Sequence, residues 1–279
     1  MPELPEVEAI VRSLEPRIRG RTIAATELLF PPLLRRAQGD GLNAFRGLRV
    51  LGARRRGKMI LVECEGGRTL VFHLKMTGRM DLCECGEPVD KHTRLVLRFR
   101  DGADELRFHD VRKFGFCILV DGDPAVCCGE LAGLGPEPLE IGLEEFAAIL
   151  AGRKGRIKAV LLDQAAIAGI GNIYADEILF DAGIHPETPA ARIKNKKADR
   201  LRQSMRHILD LAIAANGSTL RDYRDAGGCP GGFQSYHKVY GREGEPCAVC
   251  GRPIRRIRVA GRSTHYCPHC QPRLRGRAS

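Results

Sequence analysis

No apolar run in this 279-residue chain approaches the ~18–20 residues that a membrane-spanning helix requires, so none is expected. The opening residues, MPELPEVEA, lack the basic-then-apolar layout of a secretory signal, and a cytosolic location is the expectation. Internal repeats and low-complexity tracts are also missing, which sets aside solenoids and biased disordered segments. Acidic residues are in short supply: 34 Asp and Glu face 45 Lys and Arg, a formal net charge of +11. Such an excess suits a polyanionic partner, because each cation set against a phosphate releases condensed counterions. A merely basic surface gives the same total, so charge supports a nucleic-acid partner without selecting it. Hydrophobic residues make up 43% of the chain, enough for two modest domains or one domain with appendages. Eleven cysteines are an odd count, and in a reducing compartment most are expected as free thiols or metal ligands.

Three zones separate by pattern. From residue 20 to about 120 the chain reads as short strands, at 48–51, 59–63, 69–74, 94–100 and 116–120, broken by Gly-Gly, Asp-Gly and Gly-Asp-Pro turns. Val71, Leu95, Leu97, Ile118 and Val120 supply the alternation of a mostly antiparallel sandwich. One helix precedes it, with Pro5 in the first turn and Val7, Ile10, Val11 and Leu14 at helical spacing. Leu131 to Glu140, rich in Gly and Pro, reads as a linker. Beyond it, residues 143–151, 156–166, 172–182 and 195–215 read as helices, and the chain closes with a Cys-containing module and a basic tail. The fold class expected is α+β.

Cys247-Ala-Val-Cys250 and Cys267-Pro-His-Cys270 form two C-x2-C pairs at a spacing that closes a tetrahedron around zinc. Four thiolates fill such a site and leave no position for a reactive water, so one structural zinc is expected. Between the pairs, residues 252–262 alternate basic and apolar, as in a β-hairpin with one cationic face. Zinc ribbons bind protein as well as nucleic acid, so the module implies grip and no particular reaction.

Residues 2–8, Pro-Glu-Leu-Pro-Glu-Val-Glu, carry sharper chemistry. Removal of Met1 exposes a secondary amine, and an α-amino group titrates near ~7.7–8.0, so a useful fraction is neutral and nucleophilic near neutral pH. The positive end of the following helix favours the neutral form further. Attack of a secondary amine on a sugar C1′ yields an iminium ion, an electron sink that eases β-elimination, with Glu3 placed to act as general acid. From chemistry alone, the plainer reading of an acidic helix start is preferred.

MPELPEVE, the zinc array and the landmarks between them together resemble formamidopyrimidine-DNA glycosylase, a bacterial family that removes 8-oxoguanine and ring-opened purines. The resemblance spans essentially the whole chain. It implies an N-terminal β-sandwich over residues 1–130, a linker over 131–140 and a helix–two-turns–helix domain over 141–225. A lesion-capping loop over 226–242 and a zinc finger over 243–279 complete it, with damaged double-stranded DNA bound in the cleft between domains. It further implies a monomer, one structural zinc and no redox cofactor. Endonuclease VIII relatives usually begin Pro-Glu-Gly-Pro, so Leu4 favours the purine-specific branch. A pyrimidine-lesion glycosylase of that type, and a catalytically silent damaged-DNA-binding protein, stay open as alternatives.

Position by position, the resemblance makes Pro2 the nucleophile and Glu3 its general acid, with Lys58 and the finger-tip Arg262 assisting at lesion phosphates. His73 becomes a phosphate contact. Met76, Arg112 and Phe114 become the wedge that fills the hole left by a flipped base, with Lys113 beside them where the family often has Arg. Lys158 and Asn172, the latter in Gly169-Ile-Gly171-Asn172, are placed among the DNA contacts. Glu6, Glu177 and Arg221 are placed around the lesion pocket, Glu6 also as a carboxylate that orders the N-terminal region, and Cys247, Cys250, Cys267 and Cys270 on the metal. The seven other cysteines read as incidental small hydrophobes or exposed thiols.

Overall fold

The first helix, α1 (Leu4–Ile18), tolerates Pro5 because first-turn N–H groups have no intrahelical partner anyway. The Glu6 carboxylate reaches back to accept the Glu3 N–H at 2.7 Å, half of a capping box. Val7, Ile10, Val11, Leu14 and Ile18 form its buried stripe. The computed structural model describes residues 1–35, 41–219 and 223–273.

Nine strands follow: β1 (Ile23–Leu28), β2 (Leu34–Arg35), β3 (Val50–Arg56), β4 (Met59–Cys64), β5 (Arg68–His73), β6 (Gly78–Glu84), β7 (Thr93–Phe99), β8 (Asp104–Asp110) and β9 (Phe116–Asp121). They make a four-stranded sheet in the order β1-β7-β8-β6 and a five-stranded sheet in the order β2-β9-β5-β4-β3. Every pair is antiparallel except β2 with β9. Phe72 of β5 and Phe108 of β8 stack at 5.8 Å between ring centres, one ring from each sheet. Ile60, Leu70, Leu95, Leu97 and Leu106 belong to the same core. The expected antiparallel sandwich is therefore present.

β1, β6 and β8 lie outside the expected strands, and the expected strand at 48–51 runs on through three arginines to Arg56. β8 carries Glu105, Arg107, His109 and Asp110, all buried. Arg107 offsets its burial by donating to Glu105 at 2.7 Å and to the Pro88 and Glu87 carbonyls. Arg55 of β3 pairs with Glu8 of α1 at 2.9 Å, tying strand to helix.

Two short helices, α2 (Pro124–Cys127) and α3 (Gly129–Ala132), lead to α4 (Leu143–Ala151), α5 (Ile157–Leu162), α6 (Asn172–Asp181) and α7 (Lys196–Ala214). α5 stops four residues short of its expected end. Gln164 takes over there, accepting the Gly169 N–H at 2.9 Å and donating to the Leu162 and Ile170 carbonyls, which folds the segment before α6 into a turn. β10 (Arg255–Val259) and β11 (Arg262–Tyr266) form a hairpin whose two-residue turn, Ala260-Gly261, takes positive φ at both positions. The chain forms two compact units: Met1–Gly133 with Ala215–Gly232, and Leu134–Ala214 with Phe233 onward. The strip 215–232 follows the helical segment in sequence but packs with the sandwich, for the reasons given next.

Candidate nucleophile and nucleic-acid interface

In the first unit, Pro2 and Glu3 are buried at the head of α1, while Met1 is half exposed. Glu6 organises this corner. One carboxylate oxygen holds the Glu3 N–H and the other accepts the Ser218 N–H at 2.7 Å. The Tyr223 hydroxyl donates to the Glu6 carbonyl at 3.1 Å, and the Ala226 N–H to the Ser13 hydroxyl. A Cβ on Gly217, whose φ is +76°, would stand 2.7 Å from the Glu6 carboxylate, so the close approach needs glycine. Glu6 thus fastens Ser218 and Tyr223 to the head of α1. Expected beside the lesion pocket, this residue is 2% exposed and its carboxylate is committed to backbone amides. Arg221 lies outside the described residues.

Lys58 sits in the β3–β4 turn after Gly57, whose φ is +57°. Burial first, then the charges of Lys75, Lys58 and Arg35, push the pKa of His73 at the end of β5 down to about 3. The His73 Nδ1 accepts the Lys75 N–H at 3.0 Å, so the neutral ring carries its proton on Nε2. Arg35 and Lys75 both lie over the Phe116 ring, at 3.9 and 5.3 Å from its centre. A neutral donor among cations suits a phosphate oxygen, and such a bond does not depend on titration near neutrality. The effect of His73→Ala on duplex affinity is expected to be the same at pH 5.5 and pH 8; an effect that grows as pH falls through 6.5 would mean a charged ring. Stability behaves otherwise. The unfolded ring takes its proton near 6.5 and the folded one near 3, so this contribution is complete above about pH 6.5 and is lost toward pH 3, by up to ~1.4 kcal/mol per pH unit.

Met76 and Phe114 are 48% and 50% exposed, where side chains of their kind usually belong in a core. Arg112 joins them, its Nη1 lying 3.2 Å from the Met76 sulfur and its guanidinium 4.8 Å from the Phe114 ring centre. Lys113, at φ +58°, turns to the Phe30 ring, 5.1 Å away. Asp110, to which sequence reasoning assigns no role, holds the group together. Fully buried, it accepts from the Thr77 hydroxyl, from the Arg112 N–H at 3.1 Å and from the Gly115 N–H at 2.7 Å. The turn at 74–78 admits no side chain at Gly78, whose Cβ would fall 2.4 Å from the Leu74 carbonyl oxygen. Two turns 35 residues apart are thereby held with their apolar tips outward.

In the second unit, two expected roles change. Lys158, expected at the DNA surface, is completely buried: its Nζ binds Asp176 at 2.6 Å, the Thr264 hydroxyl at 2.8 Å and the Ser263 carbonyl at 3.0 Å. The second Asp176 oxygen accepts the His265 N–H at 2.9 Å, and Asn172 Nδ2 donates to the Ser263 carbonyl at 3.1 Å. Lys158 therefore anchors the β10–β11 hairpin to α5 and α6. Lys158→Met should cost about 3–5 kcal/mol by stranding the buried Asp176 charge, and the added Asp176→Leu change should recover most of it. Denaturant melts of the two variants check this; a single variant as stable as the parent would refute the anchoring role. Glu177, expected to line the lesion pocket, instead accepts three successive N–H groups, from Lys238, Val239 and Tyr240, at 2.8–3.0 Å. Burial pushes its pKa up and those three donors pull it back. It moors the chain that leads into the zinc module.

The four cysteines converge as expected, every sulfur within 4.8 Å of the others. Sγ separations of 3.9 Å (Cys247–Cys270) and 3.5 Å (Cys250–Cys267) bracket the ~3.8 Å edge of a tetrahedron with ~2.3 Å zinc–sulfur bonds. Cys247, Cys267, Val239 and Ile254 form the small apolar core around them. Arg262 stands exposed beside the hairpin turn, with Arg255, Arg256 and Arg258 exposed on β10. Of the other cysteines, Cys64, Cys117 and Cys128 are buried, Cys83 is half-buried, and Cys85, Cys127 and Cys229 are exposed. No helix among the described residues is long and apolar enough to cross a membrane.

A β-sandwich led by a helix whose head Glu6 fastens, a helical segment and a four-cysteine hairpin define a recognisable class of three-part protein. The formamidopyrimidine-DNA glycosylase N-terminal domain matches residues 1–117, the formamidopyrimidine-DNA glycosylase H2TH domain residues 134–224, and the zinc finger found in FPG and IleRS residues 244–273. A formamidopyrimidine-DNA glycosylase of Solibacter usitatus is 48% identical over 274 residues, covering 98% of this chain and 100% of that protein. The crystal structure of the MutM (FPG) protein of Thermus thermophilus superposes with a TM-score of 0.87 at 44% identity, covering 97% of this chain and 98% of that one. Wild-type Lactococcus lactis Fpg (MutM), in complex with DNA containing N7-benzyl-Fapy-dG, gives 0.89 at 37% identity over 98% and 100% of the two chains. The chain belongs to the formamidopyrimidine-DNA glycosylase family.

Proposed function

We propose that this protein is a base-excision repair glycosylase that removes oxidised purines, 8-oxoguanine and formamidopyrimidines, from duplex DNA and then cleaves the strand as an AP lyase. The observation that carries the reading is the exposed Met76–Arg112–Phe114 group held by Asp110. An enzyme acting on a base inside a duplex must extrude it, and a preformed wedge offsets the stacking lost.

With Met1 removed, the Pro2 nitrogen adds to C1′ as the damaged base departs, and Glu3 supplies the proton that opens the sugar. The resulting iminium acidifies the C2′ hydrogens, so β- and then δ-elimination expel the two flanking phosphates and leave a one-nucleotide gap. Lys58 and the Nε2–H of His73 hold a phosphate at the lesion, Asn172 and Arg262 hold others, and Arg112 pairs with the orphaned base. Lys158 and Glu177 act at a distance, by fixing the hairpin and the 238–240 backbone. Zinc has no chemical step: four sulfurs close its site, and it supplies folding energy to the module that carries Arg262. The protein acts as a monomer in the cytoplasm, held to the nucleoid by DNA.

The substrate assignment is tested with duplexes carrying a single 8-oxoguanine opposite cytosine or a single oxidised pyrimidine. Cleavage of the purine duplex at least tenfold faster is expected. The reverse order would assign the chain to the endonuclease VIII type, and cleavage of neither, with abasic-site affinity intact, to a silent binder.

A further inference from the structure

The second unit carries an open cavity of about 260 Å³ lined by Arg156, His185, Glu187, Thr188, Arg192 and Arg273, none of which has a part in the scheme above. Three guanidiniums meet one carboxylate there. Glu187 accepts from Arg156 Nη1 at 2.9 Å and from Arg273, so it fixes two cations in place while neutralising one. The Arg192 side chain has no ion pair among the described residues. Three cations less one anion leave two positive charges around the cavity. His185 adds to the donors: its Nδ1 accepts the Glu187 N–H at 3.1 Å, so the neutral ring carries its proton on Nε2. Burial, and next the Arg273 guanidinium, hold the ring below its ordinary pKa and so keep it neutral.

The place is distinct from the expected DNA contacts of this unit. His185 follows the C-terminal end of α6, and ten helical residues put it about 15 Å from Asn172 at the other end. His185 meets Tyr266 edge-on at 4.7 Å between ring centres, and Tyr266 closes β11, about 13 Å along the strand from Arg262. The volume falls just below the ~300–1,000 Å³ of sites for drug-sized ligands, which favours a small anion over a nucleoside. Arginine forks match phosphate oxygens in geometry as well as charge.

We propose that this cavity is a second anion site, built for a small phosphate oxyanion and distinct from the Asn172 and Arg262 contacts of the same unit. The same chemistry is offered by free phosphate or pyrophosphate and by a phosphate of bound DNA, and the test separates them. Inorganic pyrophosphate is titrated calorimetrically into the zinc-loaded chain at low ionic strength, for the parent, for Arg192→Ala/Arg273→Ala and for Lys58→Ala. Saturable binding that weakens at least tenfold in the double variant, and survives Lys58→Ala, is the expected result. Absence of saturable binding in the parent, an unchanged dissociation constant in the double variant, or loss in Lys58→Ala would each overturn the proposal. Both arginines are exposed, and circular dichroism of the double variant checks that its fold is kept. The salt dependence of undamaged-duplex affinity then assigns the source. A log–log slope shallower by about one in the double variant means a DNA phosphate occupies the cavity, and an unchanged slope means a free anion does.

Discussion

Pro2→Gly, with Met1 shown by mass spectrometry to be absent, should excise 8-oxoguanine about a hundredfold or more slower than the parent, a barrier increase of about 2.7 kcal/mol. Glycine keeps an α-amine but loses the ring. A secondary amine forms a permanently charged iminium, whereas a primary amine forms an imine that must be protonated before it drains electrons from C2′. The ring also fixes the nitrogen at the head of α1, and glycine would loosen it. Affinity for abasic-site DNA should stay within a few-fold, because Lys58, His73 and the Met76–Arg112–Phe114 group are untouched. Equal losses of binding and excision would show that Pro2 serves the fold of this corner and not the chemistry.

Cys250→Ser should abolish stoichiometric zinc and lower duplex affinity by about a hundredfold or more. The apolar cluster around the ligands is small, with Val239 and Ile254 as its buried members besides the cysteines. Metal binding supplies about 10–16 kcal/mol in zinc-finger peptides, far beyond what that core provides. Without it the β10–β11 hairpin loses the metal that ties its two ends together and keeps only side-chain anchors such as the Lys158–Asp176 pair. Arg262 then has no fixed position. The sandwich should persist, because its core is separate from the zinc module. Zinc content and duplex dissociation constants measured on one preparation decide the matter: unchanged affinity in zinc-free protein would contradict the assigned role.

What is legible in the sequence is local or compact. The zinc ligands lie in two tight knuckles, α1 shows its stripe within fifteen residues, and the wedge residues sit in short segments whose order resembles a family pattern. What stays hidden depends on partners far away in the chain. Lys158 reads as a surface cation until Asp176, 18 residues on, and Thr264, 106 residues on, enclose it. Glu177 reads as a pocket carboxylate until three amides some 60 residues later converge on it. β8 alternates Leu106 and Phe108 with Glu105, Arg107 and His109, but only the fold shows that its charged face is buried as well. Asp110 stands in plain view at the end of a strand, yet only the fold shows that it joins two turns.

The central claim is that Pro2 attacks the sugar of an oxidised purine nucleotide. Incubating the zinc-loaded protein, freed of Met1, with a duplex carrying one 8-oxoguanine opposite cytosine, in the presence of borohydride, tests it directly. A covalent protein–DNA adduct that maps by mass spectrometry to Pro2 is the predicted result. Strand cleavage with no adduct, or an adduct on Lys58 or another lysine, would contradict it.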